Sequence, residues 1–313
     1  MYQLEADSRI YVAGHRGMAG SAVLRKLEAR GYKNITTASS IELDLRHRDS
    51  VLNFIQAKKP ECVILAAAKV GGIMANKLYP ADFLSENLQI QTNVMDACAK
   101  AGTKKLLFLG SSCIYPKFAK QPIVESELLN GHLEETNDAY AVAKIAGIQM
   151  VESVRRQFGL NWISAMPSNL YGPGDNYDPQ TSHVFAAMVK RYTDATTNGL
   201  SEVVNWGTGE VYREFLHVDD LADALIFLLE NYEDSQHVNV GTGTDVTLKE
   251  LARLISTEAG FLGVTKWDNS KPDGTPKKLL DTSKLTGLGW TPKISLIEGI
   301  RRTINDYKSL QNQ

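Results

Sequence analysis

Between Glu61 and Lys69 runs an unbroken apolar segment, Cys62-Val-Ile-Leu-Ala-Ala-Ala68. It is too short to cross a membrane and too uniformly apolar for a strand with one wet face. A strand buried on both faces belongs to a parallel sheet covered by helices. The flanking sequence supplies those helices. Residues 9–13 read as a strand, 17–30 as a helix ending at Gly31, 34–38 as a strand and 48–59 as a helix stopped by Pro60. A long helical pattern at 80–101 closes at Gly102. A strand at 105–109, a long helix at 138–158 and a strand at 162–166 follow. Such alternation implies right-handed crossovers with helices on both faces.

From about Gly172 the rhythm loosens. Short strand-like segments at 203–206, 237–240 and 264–267 mix with helical patterns at 248–259 and 295–310. The expected fold is α/β: a doubly wound parallel sheet over residues 1–171 and, over 172–313, mainly a smaller α/β substrate lobe. Some of the later segments are expected to return to the large sheet.

Bulk composition excludes several functions. The net charge is −2 with no basic run, so no nucleic-acid surface is expected. Three cysteines (Cys62, Cys98, Cys113) form no CxxC, and the six histidines show no ligand spacing, so neither a disulfide framework nor a metal site is indicated. Residues 1–8 are polar and acidic, unlike a signal peptide, and no apolar run reaches membrane-spanning length. A reducing cytoplasm is the expected compartment.

Gly14-His15-Arg16-Gly17-Met18-Ala19-Gly20 follows the first strand and opens the first helix. Here Gly14 permits a tight turn, Gly17 admits a pyrophosphate to the backbone, and Gly20 allows close helix–strand packing. The helix N-terminus offers free N–H groups to phosphates. Enzymes that use NAD place an acidic group at the end of the second strand, but here that position reads Ala38-Ser39-Ser40, with Glu42 a little beyond. Arg16 suits a 2′-phosphate, so NADP(H) is expected, although a solvated surface role would also explain it. Asp44 fits either an adenine amine or a helix cap.

Tyr140 and Lys144 are four apart on a helix, hence on one face. A nearby ammonium favours the phenolate, so Lys144 is expected to lower the Tyr140 pKa. Ser111, just past the strand at 105–109, adds a second hydroxyl for a carbonyl oxygen. That set serves hydride transfer to or from a carbon–oxygen bond. Cys113 is not needed for it. Cys62 and Cys98 read as inert packing residues.

Segments 13–20 (AGHRGMAG), 65–73 (LAAAKVGGI), 106–117 (LLFLGSSCIYPK), 140–148 (YAVAKIAGI), 166–173 (MPSNLYGP), 213–220 (REFLHVDD), 239–243 (NVGTG) and 271–281 (KPDGTPKKLLD) occur in order along the chain. Together they resemble the extended short-chain dehydrogenase/reductases, Rossmann-type enzymes acting on nucleotide sugars. The resemblance is closer still to the branch that turns GDP-4-keto-6-deoxy-D-mannose into GDP-L-fucose, inverting carbons 3 and 5 and then reducing carbon 4 with NADPH.

That resemblance implies Tyr140, Lys144, Ser111, Cys113 and His183 as catalytic, with Cys113 and His183 moving protons on opposite faces of the sugar. It implies a nicotinamide site from Leu109, Gly110, Ser111, Ser112, Lys144, Pro167, Ser168, Asn169, Leu170 and His183, beside the glycine loop and Asp44. Substrate positions fall on Arg191, Trp206, Arg213, Asp273 and Lys278. Residue chemistry leaves His183 open as a structural helix-start residue, Arg191 as solvated and Trp206 as strand packing. Related proteins often carry an Arg near Ser40, and Ser39-Ser40 here implies looser cofactor preference. A homodimer is implied through a four-helix bundle of the helices at 80–101 and 138–158, whose Ala139, Ala141, Ala146, Gly147, Met150 and Val151 allow close approach.

Three other readings remain: a nucleotide-sugar 4-epimerase, a 4,6-dehydratase, or an NADP-binding regulator without turnover. A dehydratase typically places a carboxylic acid where Ser112-Cys113 stands, a 4-epimerase needs no Cys base, and a regulator commonly loses the Tyr or Lys.

Overall fold

The computed structural model describes residues 4–271 and 273–311; Pro272 of the 271–281 segment and the ends of the chain lie outside them. The first half runs β1 (Ile10–Ala13), α1 (Met18–Ala29), β2 (Ile35–Thr36), α2 (Arg48–Lys58) and β3 (Cys62–Leu65). It continues through α3 (Ile73–Leu78), α4 (Pro80–Ala101), β4 (Lys105–Leu109), α5 (Asp138–Phe158) and β5 (Asn161–Pro167). The remainder starts with β6 (Asn169–Tyr171), α6 (Val184–Thr197), β7 (Glu202–Trp206), β8 (Tyr212–Arg213), β9 (Phe215–His217) and α7 (Val218–Asn231). It ends with β10 (Val238–Val240), β11 (Val246–Thr247), α8 (Leu248–Ala259), β12 (Val264–Asp268), β13 (Lys277–Lys278), α9 (Ser283–Gly287) and α10 (Leu296–Gln311).

Six strands form one parallel sheet in the order β10-β5-β4-β3-β1-β2. The order reverses between β1 and β3, the place where open α/β sheets bind ligands at their carboxyl edge. Every residue of β1, β3 and β4 is buried, as the apolar run at 62–68 requires.

Two sequence expectations are trimmed at this edge. The third strand stops at Leu65 because Ala66–Ala68 passes beneath the turn at Gly14: a Cβ there would lie 2.6 Å from the Ala67 nitrogen. Gly14 also has φ +88°, a conformation glycine adopts without strain. The second strand keeps only its two residues paired with β1. Beyond it the Glu42 carboxylate accepts from the Ser39 amide and hydroxyl, both at 2.7 Å, while the Glu42 amide donates to the Ser39 hydroxyl oxygen at 3.3 Å. This capping-box turn draws the chain off the sheet edge.

Chain from the second half completes the sheet. β10 pairs with β5, and the side chains of α7 pack in one core with those of α1, β1 and β4. A separate core, built around Phe185, Tyr192, Leu251, Ile255 and Ile304, holds α6, α8 and α10 together. Three small sheets accompany it: β11-β8-β13, β12-β7 and β6-β9. Among the described residues, no helix is long and apolar enough to cross a membrane.

Candidate active site

The carboxyl edge of the large sheet carries the nucleotide loop. Gly17 caps α1 without a side-chain bond, and the first turn of α1 contains no acid, which leaves a positive helix end. A Cβ on Gly17 would meet nothing nearer than 3.5 Å, whereas one on Gly20 would lie 2.1 Å from the Gly14 oxygen. Gly20 therefore packs the helix against the turn itself. His15 Nδ1 and Ser168 Oγ are buried without a hydrogen-bond partner. An exposed glycine-walled cradle at a helix end and polar atoms lacking partners fit a dinucleotide. Arg16 is exposed beside Glu42, whose carboxylate it helps hold below the usual range, after the stronger Ser39 hydrogen bonds. Asp44 caps no helix. Burial opposes its charge, but hydrogen bonds from the Arg46 side chain and backbone dominate and lower it to about 2.

Past β4, Gly110 donates its N–H to the Ala165 oxygen at 2.9 Å, and Ser111 begins a short 3-10 turn over Ser112–Ile114. The Ser111 hydroxyl oxygen accepts from the Cys113 amide at 3.2 Å and hydrogen-bonds Tyr140, on the first turn of α5. Tyr140 departs from the sequence expectation. Burial, then the negative charge of Cys113, raises its pKa well above 10; the Ser111 bond lowers it only in part. Lys144 does not act on the phenol. Its ammonium donates to the Leu109 carbonyl at 2.9 Å and lies 5.8 Å from the Tyr140 ring centre, and burial lowers its pKa to about 7. A tyrosine held protonated is a proton donor, the form a ketone reduction needs.

Cys113 has different surroundings. Burial pushes the thiol up, but the Lys278 ammonium and hydrogen bonds from Ser111, Lys278 and Asn137 outweigh it, so the net shift is downward. Lys278 Nζ lies 3.4 Å and Asn137 Nδ2 3.3 Å from Sγ. Asn137 is the residue before α5, a normal capping position, yet it makes no cap bond and turns to the sulfur. Sequence reasoning missed it because an Asn before a helix reads as a cap. A pocket lined by Cys113, Lys117, Glu134, Asn137, Thr275 and Lys278 opens beside the thiol.

His183 is the N-cap residue of α6, with no side-chain cap bond, and keeps much of its surface accessible. The surrounding protein, then Lys278, lowers its pKa and keeps the imidazole neutral. The preceding segment is pinned to the start of α3, where the Gly72 amide donates to Thr181 O at 3.0 Å.

The substrate positions divide in two. Arg191 is not solvated; it donates to Val204 O at 3.2 Å and Asn205 Oδ1 at 2.6 Å. Arg213 donates to the carbonyls of Tyr212 (2.7 Å) and Asp273 (3.3 Å). Burial lowers both guanidinium pKa values; nearby acids partly offset this for Arg213, a nearby tyrosine for Arg191. Trp206 closes β7 at 55% exposure with the Lys271 ammonium 5.6 Å from its ring, so strand packing does not explain it. By contrast, the Asp273 carboxylate is engaged by the Thr208 amide and hydroxyl at 2.7 and 2.8 Å, and Lys278 faces Cys113. The parallel pairing of β13 with β8 sets Lys278 beside Arg213.

Glu214 gave no sequence signal. Its buried carboxylate accepts from the Thr242, Gly243 and Leu280 amides at 2.6, 2.8 and 2.9 Å, fixing the end of β13. Its backbone oxygen accepts from the Asn169 side-chain Nδ2 at 2.7 Å, and the Ser168 backbone amide donates to Val240 O. The turn 167–170 is thereby tied to the residue joining β8 to β9 and to the end of β10.

A glycine-loop dinucleotide site and a Ser–Tyr–Lys group on one edge of a doubly wound sheet define a nucleotide-dependent enzyme of carbonyl chemistry. The chain belongs to the NAD dependent epimerase/dehydratase family, whose pattern it matches over residues 10–241. It is 56% identical to "GDP-L-fucose synthase 1" of Arabidopsis thaliana over 97% of this chain and 94% of that one. Identity to the GDP-L-fucose synthase of Escherichia coli is 50%, over 98% of each chain. A solved GDP-L-fucose synthetase from Naegleria fowleri bound to NADP superposes with a TM-score of 0.92 at 27% identity, covering 100% of this chain and 96% of the other.

Proposed function

We propose that this chain converts GDP-4-keto-6-deoxy-D-mannose into GDP-L-fucose, inverting carbons 3 and 5 and then reducing the carbon-4 ketone with NADPH. The observation that carries this reading is Cys113. A thiol biased toward its anion beside Ser111 and Tyr140 is superfluous to a plain ketone reductase. It is the base that an epimerase requires. The names of the relatives at 56% and 50% identity support the substrate, and the NADP-bound neighbour supports the cofactor.

In this reading the Cys113 thiolate takes a proton from a carbon flanking the ketone. The electron pair moves onto the ketone oxygen, which the Ser111 and Tyr140 hydroxyls hold. His183 returns a proton from the opposite face and so inverts the carbon. The negative charge of a bound diphosphate raises the His183 pKa toward the protonated form this step needs. After inversion Tyr140 protonates the carbon-4 oxygen. NADPH, when bound, supplies the hydride to carbon 4. Gly17 and the α1 N-terminus would hold its pyrophosphate, Arg16 would meet the 2′-phosphate, and Lys144 with the 167–170 turn would hold the nicotinamide ribose. Arg191 and Arg213 take the diphosphate of the sugar, with Trp206 as an apolar wall.

Incubation with GDP-4-keto-6-deoxy-D-mannose and NADPH is expected to oxidise the cofactor and yield GDP-L-fucose, faster than with NADH. No oxidation with that sugar, or a product of unchanged carbon-3 and carbon-5 stereochemistry, would sink the reading.

We further propose a homodimer built on α4 and α5. Ala141, Gly147 and Val151 are buried within one chain, so they are not available to a partner. Ala139, Ala146 and Met150 are part-buried and Val142 is 47% exposed, which leaves an apolar strip on α5. Sedimentation is expected to give a dimer at micromolar concentration; a monomer would refute it.

A further inference from the structure

We propose that Lys278 is the positioning residue of the epimerisation: its ammonium is the counter-ion that keeps the Cys113 sulfur anionic, a task separate from binding the GDP sugar. Geometry carries the assignment. Lys278 Nζ lies 3.4 Å from Sγ and is not within ion-pair distance of any carboxylate among the described residues. Most other half-buried lysines here do have such a partner: Lys69, Lys117, Lys190 and Lys277 pair with Glu86, Glu134, Asp194 and Asp245 at 2.5–3.2 Å. An ammonium in a half-enclosed site keeps its charge by finding an anion, and the sulfur is the one in reach.

Charged groups face the sulfur from several elements. Arg213, from β8, adds positive charge near it, and Tyr140, from α5, stays protonated. Lys117, Glu134 and Lys277 line the same pocket, and the first two pair with each other at 3.1 Å. Lys277 is taken up by Asp245 at 3.2 Å. Lys278 therefore contributes the direct charge contact. It also faces His183 and favours the neutral imidazole there.

The consequence for the reaction rests on the epimerase reading above. Each inversion moves one proton from carbon to Sγ, leaving a neutral thiol beside an ammonium. A second inversion needs that thiol ionised again, its proton passing to solvent, and His183, left neutral by giving up its own proton, protonated again from solvent. The Lys278 charge favours the thiol's re-ionisation.

The test reads the thiol directly. The rate of iodoacetamide alkylation at Cys113, located by mass spectrometry of the full-length protein, is followed against pH without sugar or cofactor. In Lys278→Met the midpoint is expected to rise by about one to three pH units, the usual effect of removing an adjacent opposite charge. Lys278→Arg keeps the charge and should stay near the native midpoint. The pH profile of solvent deuterium entry next to the ketone should shift by the same amount in Lys278→Met. A native alkylation midpoint in Lys278→Met overturns the proposal, as does a raised KM for the sugar with an unmoved pH profile. If both variants shift alike, charge is not the cause and the proposal also fails. Alkylation needs no substrate, so it remains decisive if GDP-4-keto-6-deoxy-D-mannose proves not to be turned over.

Discussion

In Cys113→Ser, incorporation of solvent deuterium at the carbons flanking the ketone is expected to fall by about 10²–10⁴-fold, the usual worth of a positioned base. The hydroxyl matches the thiol in shape, but its pKa lies far above any pH that the Lys278 and Asn137 contacts could bring into range. Hydride transfer should suffer much less when the enzyme is given a 4-keto sugar already inverted at carbons 3 and 5, because Ser111, Tyr140 and Lys144 are untouched. Equal loss of both steps would remove Cys113 from the base role. The pH dependence has a definite sign. The thiol pKa is lowered, so exchange in the native enzyme is present above that pKa and lost as pH falls through it. Measuring exchange by mass spectrometry across pH 5–9 checks this.

Tyr140→Phe should show the opposite bias. Removing the hydroxyl removes the proton given to the carbon-4 oxygen, so hydride transfer is expected to drop by about 10²–10⁴-fold, or roughly 3–5 kcal/mol of barrier. Deuterium exchange should fall less, since Ser111 still holds the enolate oxygen. Burial keeps the phenol protonated throughout the neutral range, so reduction by the native enzyme should show no alkaline loss near pH 8 from this group. Single-turnover NADPH oxidation gives the hydride rate. A Tyr140→Phe enzyme that reduces at the native rate would refute the assignment.

Much of the fold was legible because its signals are local. The helices at 80–101 and 138–158 have the same bounds in sequence and structure, each closed by a glycine in the left-handed conformation. The alternation around residues 62–68 implied the parallel sheet. Burial erased the pattern of one long helix, α7. Nearly every residue of α7 from Val218 to Leu229 is buried between α1 and the sheet, so no polar face gives it a period. α6 was legible only at its start, where His183 reads as a helix-start residue; its extent to Thr197 carried no comparable signal.

At the site, residue types were readable and their partners were not. Cys113 stood out as surplus to carbonyl chemistry, but its contact with Lys278 spans 165 positions and depends on β13 lying beside β8. Sequence separation also hid the engagement of Asp273 by Thr208, 65 positions apart, and the clamp at Glu214, which reaches up to 66 positions. The expected lowering of the Tyr140 pKa failed because helical spacing fixes a face, not a direction. Lys144 shares that face but points to Leu109 O.

The segment leaving β3 touches two distant parts of the reaction. At Ala67 it lies under Gly14 of the nucleotide loop, and at Gly72 it hydrogen-bonds Thr181, two residues before His183. The six residues from Ala67 to Gly72 thus act as a ruler between the place where the hydride carrier docks and the group that returns a proton to the sugar. Its length, and not only the identity of the reacting side chains, decides whether both halves of the reaction address the same sugar ring.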